Sequence, residues 1–221
     1  METVLITGAN RGIGLELVQR HTARGDKVIA LCRQSSDKLY KTGAEIVDGI
    51  DMADATAVEG LKCRIEENSI DRLIANAGMR SYEGYENLDF DAVRYQFEVN
   101  TLGPLRLVRT LDKMLKDGAK IVLMSTAVAS ISDNESGGEF GYRMSKTALN
   151  MAGVNLSHAL KYRNIAVFLL HPGWVQTQLG GEGALIDTQE SASGIIVTTD
   201  GLGLDETGTF WHAVQGTQLP W

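Results

Sequence analysis

A single α/β domain built on a doubly wound parallel sheet is the fold this sequence predicts, and three observations carry it. Short apolar runs without polar alternation, such as Val4-Leu5-Ile6-Thr7 and Lys27 to Cys32, have the composition of parallel strands covered on both faces. Stretches with apolar residues at helical spacing separate these runs, as β-α-β alternation requires. No linker or low-complexity tract interrupts the 221 residues, so one domain is expected to span 1–221.

Bulk composition narrows the function classes. At a net charge of −7 the chain repels nucleic acid and anionic membrane surfaces at long range, so neither is expected as its main partner. Cys32 and Cys63 have no metal-ligand companions at suitable spacing; they read as small buried residues in a reducing compartment. Met1 is followed by Glu2 and an apolar run that stops at Gly8, too short for a signal peptide or a spanning helix. The expected location is cytoplasmic.

The first strand, Val4 to Thr7, runs into Gly8-Ala9-Asn10-Arg11-Gly12-Ile13-Gly14. After it, Ile13, Leu15, Leu17 and Val18 give a helical pattern that fades at Arg24-Gly25-Asp26. A glycine loop between a strand and a helix N-terminus offers free backbone N–H groups and the positive end of the helix dipole, which suits a pyrophosphate. A dinucleotide is expected there. The second strand, Lys27 to Cys32, is followed by Arg33, with no carboxylate at its end. An acid at that place would hold ribose hydroxyls and repel a 2′-phosphate, whereas Arg33 and Arg11 together would suit a phosphate. This favours NADP(H) over NAD(H).

Glu45 to Ile50 forms the third strand and ends in Asp51-Met52 before a helix expected over Ala53–Asn68, for which Asp51 is a fitting N-cap. Asp71 to Ala75 forms the fourth and delivers Asn76-Ala77-Gly78, a polar residue and small ones that make a floor for a flat ligand. A long helical pattern from Phe90 to Lys116 is expected to bend at Gly103-Pro104, where proline removes a backbone hydrogen bond. Asn100 stands inside it, a polar residue in an apolar helix that needs a partner, either a core contact or a role in the site. The fifth strand, Lys120 to Met124, ends in Ser125-Thr126 and a loop containing Ser130, Ser132 and Ser136.

Tyr142 and Lys146 follow on a helix expected to reach Lys161. Four-residue spacing puts both on one face, so an ammonium can favour the ionised phenol. Ile165 to Leu170 is a sixth strand, and the single His171 at its end reads as structural. Pro172-Gly173-Trp174-Val175-Gln176-Thr177 leads to a glycine-rich stretch, 179–185, and a helix over 188–199, expected to form a movable substrate cover near 179–200. Gly208 to Trp221 suggests a last strand and turn closing the sheet edge.

Five of these stretches, the Thr-Gly-x3-Gly-x-Gly loop, Asn76-Ala77-Gly78, the Asn100 segment, Tyr142-x3-Lys146 and Pro-Gly-Trp-Val-x-Thr, resemble in type and order the short-chain dehydrogenase/reductase family. Chain length, the extended loop before Tyr142, and the Gly-x-Phe and Pro-Trp of the tail are similar to its branch of C-factor-like proteins and sniffer-like carbonyl reductases. The resemblance implies a Rossmann-like fold and hydride transfer between a nicotinamide and a small carbonyl or alcohol substrate, with Asn100, Thr126, Tyr142 and Lys146 catalytic and no metal. It also implies that Asp51 holds the adenine amino group with Met52 on the ring, that Lys146 holds the nicotinamide ribose, and that Pro172, Gly173, Val175 and Thr177 hold the carboxamide. Thr126 stands where the family has serine, and Ser125 and Ser130 are the alternative hydroxyls. A free phenol near pKa 10 must drop by about 3 pH units, roughly 4 kcal/mol, to work near neutrality. One cation at contact range supplies about 1 to 3 of these, so Lys146 alone is borderline. A dinucleotide-binding regulatory protein with little turnover is the second reading, and pairing of the Asn100 and Tyr142 helices into a homo-oligomer is open.

Overall fold

Chain order runs through β1 (Thr3–Thr7), α1 (Gly12–Ala23), β2 (Lys27–Leu31), α2 (Asp37–Tyr40), β3 (Glu45–Val47), α3 (Ala55–Glu59), β4 (Ile70–Ala75), α4 (Phe90–Phe97), α5 (Gly103–Thr110), β5 (Leu115–Met124), α6 (Phe140–Leu160), β6 (Ala166–His171), α7 (Thr188–Gly201), β7 (Thr209–His212) and β8 (Thr217–Gln218). This computed structural model describes residues 1–221. The strands form one sheet in the order β3-β2-β1-β4-β5-β6-β7-β8, parallel throughout except for β8, which pairs antiparallel with β7. It is a single-domain, doubly wound α/β fold of Rossmann-like type.

Both faces of the sheet are covered, which is why its strands read as unbroken apolar runs. Leu5, Ile29, Leu73 and Ile121 pack with Val58, Leu107 and Leu149 on the side of α3, α5 and α6. Their neighbours in register, Val4, Ile6, Ala30, Ile74 and Val122, pack with Leu17, Val18 and Ile195 on the side of α1 and α7. At the N-terminal edge of the sheet the buried Arg72 of β4 ties Glu2 to Asp200 at the end of α7, at 3.1 and 2.8 Å.

Several expected elements have other boundaries. The helix expected over 53–68 stops at Glu59 and continues only as one 3₁₀ turn, Gly60–Cys63. Asn68 takes a left-handed conformation (φ 53°), and Asn68 and Ser69 donate to the carbonyls of Lys113 and Met114. That pairing draws the chain into β4 and forbids further helix. The helix expected to Lys116 ends at Thr110, because Leu115 already pairs with Ile70 in the sheet. The stretch expected as a cover divides: α7 buries Ala192 and Ile195 completely and is part of the core, and of the segment before it Leu179 lines the cleft described below. Cys32 is buried as expected, but Cys63 is exposed. No helix is long and apolar enough to cross a membrane.

Candidate active site

Strand order reverses direction between β1 and β4, and the carboxyl ends of these two strands open a crevice. A cleft of about 1250 Å³ occupies it, running from the loop after β1 past the end of β5 to α6 and the segment after β6. Gly8, Asn10, Arg11, Gly12 and Ile13 line it. Gly8 has φ +66°, and a Cβ on it would stand 3.0 Å from the Cα of Ala77, so the loop lies against the strand-end floor at backbone distance. Gly14 is off the cleft; a Cβ there would collide with the Gly8 carbonyl and the Asn76 side chain, so its absence lets α1 seat on the loop. Arg11, the N-cap of α1, closes no backbone group with its side chain, and no acid stands in the first turn. Free N–H groups and the positive dipole end are left for an anion.

Arg33, Asp51 and Met52 line one end of the cleft with Cys32 at the strand end, together with Gln34 and Lys38, which the sequence reading did not single out. The polar face of the short α2 was the available signal for Lys38. Arg33 pairs with Asp51 at 3.8 Å and Arg11 donates to Gln178, so each guanidinium is turned to its own partner. Asp54, not Asp51, caps α3, accepting from the N–H groups of Thr56 and Ala57, while Asp51 accepts from that of Ala53.

Asn76, Ala77 and Gly78 form the cleft floor. The Asn76 side chain donates to the Thr7 carbonyl at 3.0 Å, and the Ala77 N–H donates to the Thr7 hydroxyl at 2.9 Å, closing the seam between β4 and β1. Behind the floor, the fully buried Asn100 accepts from the Met79 N–H and donates to the Met79 carbonyl, both at 2.9 Å, and donates to the Ser145 hydroxyl at 3.0 Å. Its side chain bonds neither Tyr142 nor Lys146; it clamps the floor to α6. A π-helical turn over Glu98–Leu102 interrupts the α-helix here, its five-residue step running from the Gly103 N–H to the Glu98 carbonyl. Pro104 offers the Asn100 carbonyl no N–H, and the irregularity that the Gly103-Pro104 pair leads one to expect takes the form of this π-helical turn just before it.

Tyr142 and Lys146 both line the cleft and are almost wholly buried. The Lys146 Nζ donates to the Met124 carbonyl at 2.6 Å, and burial lowers its pKa to about 8. Burial pushes the Tyr142 phenol up to about 12, against the pull of a hydrogen bond with the Thr126 hydroxyl and of the Arg80 guanidinium. Of the three candidate hydroxyls, Thr126 is the one that pulls on the acidity of the phenol, whereas Ser125 is the one that lines the cleft. Ser125 is committed to the Asn150 side chain at 2.6 Å, and Ser130 to the Ser132 hydroxyl and the Asp133 N–H. Arg80, first residue of the stretch 80–85 that the sequence offers as a pocket wall, lines the cleft with its guanidinium carbon 5.5 Å from the Tyr142 ring centroid. No local spacing announced its contact with Tyr142.

Pro172 and Thr177 line the cleft as expected, with Gln176, Gln178 and Leu179 beside them. Gly173 and Val175 lie behind this wall, and Val175 is buried in an isolated bridge with Ile186. His171 is off the cleft, edge to face with His212 at 4.8 Å, in keeping with a structural role.

This architecture has close counterparts. A 1-hydroxy-2-glutathionyl-2-methyl-3-butene dehydrogenase of Rhodococcus sp. (strain AD45) is 37% identical over 227 residues, covering 100% of both chains. Among solved structures, the NADPH-bound carbonyl reductase from chicken fatty liver superposes with a TM-score of 0.92 at 28% identity, covering 100% of this chain and 99% of that one. The carbonyl reductase Sniffer of D. melanogaster superposes with a TM-score of 0.91 at 30% identity, covering 100% of both. The sequence model of the short chain dehydrogenase family matches residues 2–184, most of the chain and all the residues that line the cleft except Thr188, and the chain belongs to that family.

Proposed function

We propose that this oxidoreductase moves a hydride between NADP(H) and a small carbonyl or alcohol substrate, with Tyr142 as general acid/base. One observation carries the reading: a buried phenol and a buried ammonium one helical turn on share a cleft with an uncapped helix N-terminus. The residues fit a dinucleotide. Gly8 and the bare end of α1 leave room and donors for a pyrophosphate, and Asn76-Ala77-Gly78 makes a flat floor. Arg11, Arg33 and Lys38 outnumber Asp51 and Glu16 along the glycine-loop part of the cleft, which supports the phosphorylated cofactor. The NADPH held by the chicken carbonyl reductase supports it as well.

Bound there, the reduced nicotinamide supplies hydride to a carbonyl carbon. Tyr142 gives the proton that the developing alkoxide requires, and Thr126 donates a hydrogen bond to the same oxygen. Oxidation of an alcohol uses both groups in reverse, with the tyrosinate as base. Lys146 has a contact to exchange: its ammonium can leave or share the Met124 carbonyl to hold a ribose hydroxyl beside the phenol. Asn100 keeps floor and α6 in register through Met79 and Ser145. The Rhodococcus relative is named for dehydrogenation of a hydroxy compound and both solved neighbours are carbonyl reductases, which supports a carbonyl/alcohol pair.

The test is oxidation of NADPH, with NADH in parallel, across a panel of aldehydes, ketones and quinones. Turnover is expected, faster with NADPH, and Tyr142→Phe should lower kcat by about 10³-fold. NADPH binding without turnover on any compound would sink the reading and favour a regulatory dinucleotide-binding protein.

A further inference from the structure

We propose that Arg80, held in place by Glu139, is the positioning residue that sets the acidity of Tyr142; the proposal rests on the acid/base role given to that tyrosine above. Arg80 leaves the floor two residues after Gly78, and its guanidinium lies between two rings, 4.5 Å from the Tyr82 centroid and 5.5 Å from that of Tyr142. Both distances are within cation–π reach. Its side chain is one-fifth exposed, so water screens its charge only in part.

The charges around the phenol are few, and each has a defined direction. Lys146, on the same helix as Tyr142, spends its Nζ on the Met124 carbonyl at 2.6 Å. Arg143 is turned outward to the Val128 carbonyl and the side chains of Asn134 and Ser136. From the segment after β4 come Arg80 and the Tyr82 phenol, from the end of β5 the uncharged Thr126, and from the N-cap of α6 the Glu139 carboxylate. Arg80 is thus the cation turned toward the Tyr142 ring.

Glu139 is built to keep it there. Its backbone is left-handed, φ 47° and ψ 49°, a conformation that an L side chain seldom takes. Hydrogen bonds on both sides secure it: its N–H donates to the Glu83 carbonyl at 3.1 Å, and its own carbonyl accepts from the Arg143 N–H at 3.0 Å. In this pose the carboxylate forms an ion pair with Arg80 without lining the cleft. Arg80 pulls the phenol toward ionisation and Glu139 opposes it, as their signs require. Without Arg80, Tyr142 would face Glu139 uncompensated.

The experiment titrates Tyr142 by NMR in the full chain carrying ring-labelled tyrosine, with and without NADP⁺, Tyr142→Phe identifying the resonance. Alcohol oxidation against pH is measured on the same proteins. Arg80→Met should raise the Tyr142 midpoint by about one pH unit. The alkaline rise of oxidation should move with it, so that about tenfold of rate is lost at neutral pH and regained at high pH. Arg80→Lys should keep the midpoint near the native one, and Glu139→Gln should lower it; this second variant tests the opposite sign even where Arg80→Met fails to fold. A native midpoint in Arg80→Met or Glu139→Gln overturns the proposal, and so does an equal loss of rate at every pH. Midpoints that move as expected in a protein that turns over no alcohol or carbonyl would uphold the pairing and overturn the reductase reading instead.

Discussion

In the proposed reaction Thr126 supplies the hydroxyl that works with the Tyr142 phenol, on whose acidity it pulls, and its branched Cβ restricts the rotamer that aims it. Serine at this position would keep the donor and lose the restriction. Thr126→Ser should therefore hold kcat within a few-fold, while Thr126→Ala should lower it by about 10²- to 10³-fold, as loss of a donor to a developing oxyanion does. Ser125→Ala should cost about 1 kcal/mol of stability by breaking the bond to Asn150, without that loss of kcat. Steady-state kinetics with thermal melts on the three variants separates the roles, and a large kcat loss confined to Ser125→Ala would move the catalytic hydroxyl to that residue. The pair Tyr142 and Lys146 was legible because four-residue spacing on a helix is a local property. Which serine or threonine faces the phenol was not, since adjacent residues leave a strand end in opposite directions and only the packed sheet fixes which one turns inward. Arg80 could be placed in the pocket wall, but its contact with Tyr142 could not be read, because it joins a loop to the start of a distant helix.

At the scale of elements, the π-helical turn between α4 and α5 is the device that brings Asn100 to the floor. It exists because Pro104 cannot donate to the Asn100 carbonyl and Gly103 reaches back to Glu98 instead. Pro104→Ala restores the missing N–H and lets an ordinary α-helical register compete. That register would rotate Asn100 off Met79 and Ser145. The expected outcome is a melting temperature equal to or above that of the native protein, together with a kcat about 10- to 100-fold lower, the usual cost of a small misplacement near the reacting groups. Unchanged kcat with intact folding would show that the π-helical turn is dispensable. Most elements could be read from the chain because both faces of a parallel sheet are buried, so each strand stands out as an apolar run bounded by turns. The helix expected over 53–68 failed for an equally physical reason. Val58, Leu61 and Ile65 keep helical spacing and all reach the core, yet the α-helix stops at Glu59, a single 3₁₀ turn follows, and beyond Ile65 the N–H groups of Asn68 and Ser69 bond the carbonyls of Lys113 and Met114. Spacing reports which side chains go inside, not whether one continuous helix takes them there.

For the molecule as a whole, burial of titratable groups ties stability to pH, and the sign follows from proton counting. His171 is held down to about 4 by burial, with the neighbouring His212 as a lesser cause, and its Nδ1 is buried without a partner. In the unfolded chain it titrates near 6.5. Between these two values the unfolded state binds the proton and the folded state does not, so stability falls as pH falls through that window and the loss is complete near pH 4. The size is on the order of 2 kcal/mol once partial exposure is allowed for. The carboxylates extend the loss further down. Burial opposes ionisation of Asp200 and of Asp71, but Arg72 outweighs it for the first, and Lys116 with the Thr3 N–H outweighs it for the second, holding both below the usual carboxylate range. Their contribution is present at neutral pH and disappears only as they are protonated in the fold. Urea midpoints of the native protein should therefore decline in two stages on acidification. In His171→Gln the first stage should shrink while the second, set by the ion pairs of β4, persists. An undiminished decline between pH 6.5 and 4 in that variant would assign the first stage to the buried His21 and the half-buried His212, whose pKa values burial also lowers.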